Sequence, residues 1–334
     1  MDLIRKRAFA RAGLIGNPSD GYGGKTISVI VRNYWAQITL YEWERIEIVP
    51  SRNDDSIFRS IHELAHDVKL HGYYGGIRLV KAAIKGFVDY CTDRNLILHD
   101  RNFSIRYETT IPRQVGMAGS SAIVVATLRA LMEFYAITIP QTVLPSLVLS
   151  IEREQLAIPA GLQDRVIQVY EGAVYMDFGI MERQDGFICG QYESLDPKTL
   201  PPLYIAFSSD FSEPTEVFHN NLRFRFDNGE PEIVQAMNTF AELAEKAKAA
   251  ITGQNAMELS RLMDANFDLR RSICKLPQEH INMVETARKV GVSAKFAGSG
   301  GAIIGVCESD DVFDRLKIEM KKINCTCIRP IISN

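Results

Sequence analysis

Residues 111–122, Ile111-Pro112-Arg113-Gln114-Val115-Gly116-Met117-Ala118-Gly119-Ser120-Ser121-Ala122, lead directly into the apolar run Ile123 to Leu131. This order of residue types predicts a strand end, a loop of glycines and hydroxyls, and a buried helix. Such a junction aims backbone N–H groups and a positive helix end at one point, which suits an anion such as a triphosphate. Gly116 and Gly119 let the backbone approach that anion without an intervening Cβ. Ser120 and Ser121 can cap the helix, bind phosphate oxygen or ligate a hard cation. Taken alone, the pattern describes a serine-capped helix equally well. It is not a Walker A loop, because no lysine follows the second glycine, and its spacing is not G-x-G-x-x-G.

Composition narrows the field. At 334 residues the chain is expected to hold two domains. Hydrophobic residues make up 46% and charged residues 24%, ordinary values for a globular protein. A formal net charge of −3 gives no support to nucleic-acid or anionic-membrane binding. Of the six cysteines only Cys325 and Cys327 are close-set, and no C-x-x-C spacing occurs, so reduced thiols are expected. Met1 to Arg7 is charged, without the apolar core of a signal peptide, and no run of about 18 apolar residues occurs. The expected location is cytoplasmic.

Strand-length segments rich in β-branched and aromatic residues occur at 26–31, 35–41, 46–49 and 103–111. Helical stripes run over 57–70, 76–91, 122–135 and 144–156. Residues 173–178 and 186–189 read as a β-hairpin, and the Pro-rich stretch 195–203 as a boundary or crossover. Beyond it, strands are expected at 204–207, 302–307 and 326–331, with helices at 232–251, 256–274, 278–290 and 311–322. Runs of strands and helices without strict βαβ alternation point to an α+β fold.

Three more segments can carry chemistry. Arg11 to Lys25 packs glycines, Asn17, Ser19, Asp20 and Lys25 between apolar runs, either as a turn-rich loop or as a reader of sugar hydroxyls. Glu152 at a helix end, followed by Pro159-Ala160-Gly161-Leu162-Gln163-Asp164-Arg165, suits a metal ligand plus a base, although surface charge is the simpler reading in isolation. Ala297-Gly298-Ser299-Gly300-Gly301-Ala302 is a second glycine loop, fit to lean on phosphates or to form a tight turn.

Together these segments resemble the motifs of the GHMP small-molecule kinases, in the same order and over nearly the whole chain. Within that superfamily, the wording of Gly16-Asn17-Pro18-Ser19-Asp20, Gly161-Leu162-Gln163-Asp164-Arg165, Asn266-Phe267-Asp268-Leu269-Arg270-Arg271 and Lys295-Phe296-Ala297-Gly298-Ser299-Gly300-Gly301 is similar to that of the glucuronokinases. The resemblance implies an α+β chain of two domains. Residues 1–195 would form a ribosomal protein S5 domain 2-like, ATP-binding domain, and residues 196–334 a ferredoxin-like domain. It also implies ATP as co-substrate, Mg²⁺, and phosphoryl transfer to a small sugar, glucuronate giving glucuronate 1-phosphate. A heptose, heptose phosphate, galactose or mevalonate-type acceptor is the alternative. Neither nucleic acid nor membrane is an implied partner, and monomer and homodimer both stay open.

Carried over residue by residue, Asp164 matches the catalytic aspartate and Arg11 the basic residue beside the nucleophile. Gly116, Met117, Ala118, Gly119, Ser120, Ser121 and Ala122 would hold ATP together with Gly298, Ser299, Gly300 and Gly301. Ser121 and Glu152 match the Mg²⁺ ligands, with Ser120 the alternative, since many relatives have one residue fewer at Ala118-Gly119. Asn17, Ser19, Asp20, Lys25, Gln163, Arg165 and Arg271 would face the substrate. A uronate carboxylate would call for a bidentate arginine, with Arg165, Arg223, Arg225 and Arg271 as candidates.

A rival signal names another enzyme class. His62-Glu63-Leu64-Ala65-His66 matches H-E-x-x-H, the helix motif of zinc hydrolases. The extended pattern would need glycine at Lys69 and histidine at Gly72, and it fails at both. A sensor or a decarboxylase could share the kinase fold. The joint presence of Arg11, Ser121, Glu152 and Asp164 favours a working kinase.

Overall fold

The computed structural model describes residues 3–50, 75–158, 160–208 and 216–333. The helix expected over 57–70, and His62, Glu63 and His66 with it, lie outside the described residues. The first sheet is built around one long strand. β1 (Ile4–Ile15) pairs antiparallel with β2 (Lys25–Trp43) along its length. β4 (Asn102–Thr109) joins the C-terminal half of β2, and β5 (Ala173–Gln184) its N-terminal end. β3 (Glu47–Val49) and β6 (Phe187–Leu195) pair with β4 and β5 at the margins.

Two expected strands are thus one. β2 continues through Arg32-Asn33-Tyr34 as an irregularity in its pairing with β1, where the register jumps from Phe9↔Trp35 to Ala10↔Val31. The C-terminal segment satisfies that irregularity: the Arg32 N–H donates to the Ile331 carbonyl, and Asn33 exchanges hydrogen bonds with Arg329 and Ile331. β1 itself eludes the sequence reading. Its first half carries Arg5, Lys6 and Arg7, and the buried apolar positions in its middle are the small Ala8, Ala10 and Ala12, with β-branched residues only at its ends, Ile4 and Ile15.

α1 (Gly76–Asp93) and α2 (Gly119–Phe134) pack on each other, and α2 packs on β1 and β2. α3 (Leu144–Ser150) is followed by a wider π turn, Ile151–Gln155, where the sequence predicts uninterrupted α-helix. π turns of this kind commonly mark functional positions, and this one carries the fully buried Glu152. The short α4 (Gln163–Tyr170) was not expected, and its last carbonyls, on Gln168 and Val169, accept from Arg129 of α2.

The second sheet has the order β10-β7-β9-β8, antiparallel throughout, from β7 (Leu203–Phe207), β8 (Lys295–Phe296), β9 (Ala302–Val306) and β10 (Thr326–Ile328). Helices α5 (Glu216–Asp227), α6 (Pro231–Thr252), α7 (Ala256–Ile273) and α8 (Gln278–Val290) lie between β7 and β8, and α9 (Asp310–Lys322) between β9 and β10. That is the split β-α-β-β-α-β arrangement of ferredoxin-like sheets.

Strand alternation divides this sheet between two cores. Tyr204, Ala206 and Ile303 face a cluster with Phe267, Val284 and Leu316. Leu203, Ile205, Phe207, Ile304 and Val306 join the large cluster that also holds β1, β2 and α2. Gly305 sits where β9 passes closest to its neighbours, and a Cβ there would lie 1.8 Å from the Ser293 carbonyl oxygen. Gly305→Ala is therefore expected to cost about 2 kcal/mol or more, read as a lowered urea midpoint with an unchanged m-value.

Candidate active site

Arg11 is the point at which distant segments meet. β1 delivers its side chain, only 6% exposed, to the first turn of α4. There Nε donates to Asp164 Oδ1 and Nη2 to Asp164 Oδ2, both at 2.7 Å, as a bidentate fork. The remaining nitrogen, Nη1, donates to the Gly116 carbonyl at 2.5 Å and the Ala297 carbonyl at 3.1 Å. One guanidinium thus binds the aspartate and both glycine loops.

The two loops lie directly on each other. A Cβ on Gly298 would stand 2.3 Å from the Gly116 carbonyl oxygen and 2.9 Å from Arg11 Nη1, while Gly116 itself adopts a φ of +68°. Glycine at both positions is thus required by contact between the loops. Gly298 and Ser299 turn their carbonyls toward Arg270, at 2.7 and 3.0 Å. α2 starts at Gly119 without a side-chain cap, after Ala118 in the left-handed region. Its first N–H groups are left to an external acceptor, the arrangement that binds anions.

Ser121 and Glu152 meet beside this helix end. Ser121 Oγ donates to Glu152 Oε1 at 2.9 Å, and the other carboxylate oxygen forms an ion pair with Arg165. Ser121, Glu152 and Arg165 are all buried. Arg165 also lies 3.5 Å from Asp164 Oδ2 and donates to the Gly161 carbonyl at 2.9 Å. Burial alone would pull the arginine down, but the charges of Glu152 and Asp164 outweigh it and raise its pKa.

On the opposite side, residues 17–25 form a compact polar loop. Asp20 lies against Gly161, where a Cβ would come 2.2 Å from its Oδ2. Burial and then the Asp164 charge push the Asp20 carboxyl up from about 3.8 to about 6, against Arg11, Arg165 and the Gln163 N–H. Gln163 is buried next to Gly13. Asn17 and Ser19 serve the loop itself: Asn17 Oδ1 accepts from Lys295 at 2.7 Å, and Ser19 Oγ donates to the Lys25 carbonyl at 3.1 Å. Lys25 points to Asp177, at 3.4 Å, and to Glu245. Arg271 stands apart from the others, exposed and paired with Glu285 at 3.1 Å.

Three residues of the Asn266–Arg271 and Lys295–Gly301 segments hold the site in ways the sequence does not assign. Arg270, the neighbour of Arg271, is the arginine that reaches the second glycine loop, and burial lowers its pKa to about 10. Asn266 bridges Gly16 and Asn17. Lys295, 1% exposed, donates to the Gly13 carbonyl, Asn17 Oδ1 and the Phe296 carbonyl, each at 2.7 Å. Three neutral acceptors match the three hydrogens of an ammonium, although burial and then Arg270 and Arg11 pull the lysine well below its usual value. A signal for two of them was present: Leu262, Asn266, Arg270 and Ile273 form one helical stripe in which polar residues occupy core positions.

Residues 78–172 match the model of the GHMP kinases N terminal domain. Over 98% of its length the chain is 42% identical to Glucuronokinase 1 of Arabidopsis thaliana, covering 91% of that protein. It is 44% identical to Probable glucuronokinase 2 of the same plant over 91% of this chain and 84% of that one. The fold is similar to the crystal structure of Lactococcus lactis galactokinase complexed with galactose, with a TM-score of 0.80 at 15% identity over 99% of this chain and 94% of that one. The chain belongs to the GHMP kinases, and it is a phosphotransferase that uses ATP and an alcohol acceptor.

The raised pKa of Asp20 has a thermodynamic sign. Between about 3.8 and about 6 the folded state binds more protons than the unfolded one, so stability falls as pH rises through that window and the loss persists above it. Asp20→Asn is therefore expected to raise the Tm of the ligand-free protein by about 2 °C or more at pH 7.5. The gain should fade towards pH 4, and differential scanning calorimetry at the two pH values checks it.

Proposed function

We propose that this kinase transfers the γ-phosphoryl group of ATP to the anomeric hydroxyl of glucuronate, giving glucuronate 1-phosphate. The observation that carries the reading is the Arg11–Asp164 fork set between two contacting glycine loops and the Asp20 loop. It brings a carboxylate, a guanidinium and an uncapped helix end together, as phosphoryl transfer by positioning and charge neutralisation requires. The high identity to two plant glucuronokinases supports the acceptor.

In this scheme residues 1–195 form the ATP-binding domain and residues 196–334 the second domain. Gly116 to Ala122 and Gly298 to Gly301 wrap the triphosphate, with N–H groups facing it because their carbonyls are drawn back by Arg11 and Arg270. Asp164 accepts the proton of the attacking hydroxyl or orients it. Arg11 holds that carboxylate in place and favours the developing alkoxide. Asp20 and Gln163 read sugar hydroxyls, while Asn17, Ser19 and Lys25 keep the sugar loop in shape. In contrast to the sequence expectation, Arg271 takes no part, given its exposed pairing with Glu285.

Magnesium fits a limited place here. Ser121 Oγ and Glu152 Oε1 are adjacent hard oxygen donors beside the phosphate loop, and magnesium usually takes one or two carboxylates with the rest of its shell from phosphates and water. Among the described residues no group of acidic, histidine or cysteine side chains forms a protein-only cage. Bound with the triphosphate, the ion would neutralise phosphate charge. Ser121 rather than Ser120 is the hydroxyl that meets Glu152.

ADP release measured over uronic acids, neutral hexoses, heptose phosphates and mevalonate should single out glucuronate, and no turnover with any uronic acid would remove this acceptor. Asp164→Ala should lower kcat by about a hundredfold or more while ATP binding, measured by calorimetry, is retained. Unchanged turnover would take Asp164 out of the mechanism.

A further inference from the structure

A uronate differs from its hexose by one carboxylate, and a kinase that selects it must place a cation where the C6 carbon lies. The hydrogen bonds of the candidate arginines rank them, with Arg270 already bound to the Gly298 and Ser299 carbonyls. Arg11 is fully committed to Asp164, Gly116 and Ala297. Arg165 is buried on Glu152, Asp164 and Gly161. Arg223 is paired with Asp227 at 2.9 Å and holds the Gly21 carbonyl at 3.1 Å. Arg225 is paired with Glu230 and bonded to the Ile273 carbonyl.

Arg153 differs from all of these. It projects from the π turn next to Glu152, and both Nε and Nη2 donate to a single acceptor, the Ala160 carbonyl. Among the described residues its Nη1 has no hydrogen-bond partner and the side chain forms no ion pair. The side chain is exposed, so a ligand can reach it. It braces the turn that leads to Gly161, which in turn lies against Asp20.

We propose that Arg153 is the specificity-determining residue that receives the substrate carboxylate, through the outer Nη1/Nη2 edge left open by its bond to Ala160. The inference rests on the glucuronate reading. A guanidinium held by one edge on a carbonyl presents the other edge as a preset fork for two carboxylate oxygens. No charge has to be taken from an existing pair, which is what recruiting Arg165 or Arg223 would require.

The test compares glucuronate with its neutral methyl ester in the full-length enzyme, as wild type, Arg153→Gln and Arg153→Lys. KM for glucuronate should be lower than for the ester by about tenfold or more in the wild type, the range of a charge-assisted bond. In Arg153→Gln that ratio should fall to about twofold or less, and Arg153→Lys should restore part of it. A general structural role would move both acceptors alike and leave the ratio standing. Wild-type turnover of glucuronate with the ratio preserved in Arg153→Gln overturns the role of Arg153 and leaves the acceptor intact. Absence of turnover and binding of glucuronate by the wild type overturns both.

Discussion

The structure depends on the engagement of one guanidinium. Arg11 uses all three of its nitrogens, two on Asp164 and one shared by the carbonyls of Gly116 and Ala297. Those partners come from α4, from the loop before α2 and from the loop before β9, which are otherwise far apart in sequence. Removing the Asp164 carboxylate would leave a nearly buried charge without its counter-ion, which is costly whatever the net worth of the pair. The glycines at 116 and 298 follow from the same constraint, since side chains there would separate the loops that Arg11 draws together.

Around that centre the polar groups fall into two kinds. One kind fixes backbone: Lys295 on three neutral oxygens, Arg270 on Gly298 and Ser299, Asn266 between Gly16 and Asn17. The other kind is left with something still to meet, as at the uncapped start of α2 and the outer edge of Arg153. The division is physically economical. Carbonyls are used up in holding the loops, and N–H groups and cations remain for anionic ligands such as the nucleotide.

Much of this was legible in the sequence because glycine, serine and charge are concentrated in short runs. Gly116 to Ser121, Gly298 to Gly301 and Asp164 stand out against apolar neighbours, and helix limits such as Gln278–Val290 follow from periodicity and an αL glycine at Gly291. What was hidden depended on tertiary contact. β1 is read poorly because its core positions are alanines that admit α2, a requirement set by a helix more than a hundred residues away. Arg270 and Arg271 are identical in type and adjacent in sequence. Only the direction of α7 relative to the second glycine loop decides that Arg270 turns inward. The π turn at Ile151–Gln155 keeps the apolar rhythm of an α-helix closely enough to pass for one.

The alternation of β7 and β9 between two clusters bears on how the molecule moves. Leu203, Ile205, Ile304 and Val306 belong to the same apolar mass as β1, β2 and α2, while the C-terminal Arg329 and Ile331 are stitched to Asn33 in the middle of β2. A hinge between the two sheets would tear that mass open and expose it to water. Breathing of the site consequently falls to the loops at its rim, with the two sheets moving as one body. Heating should then melt the chain as a single cooperative block, since one face of the second sheet would lose its interior together with the first.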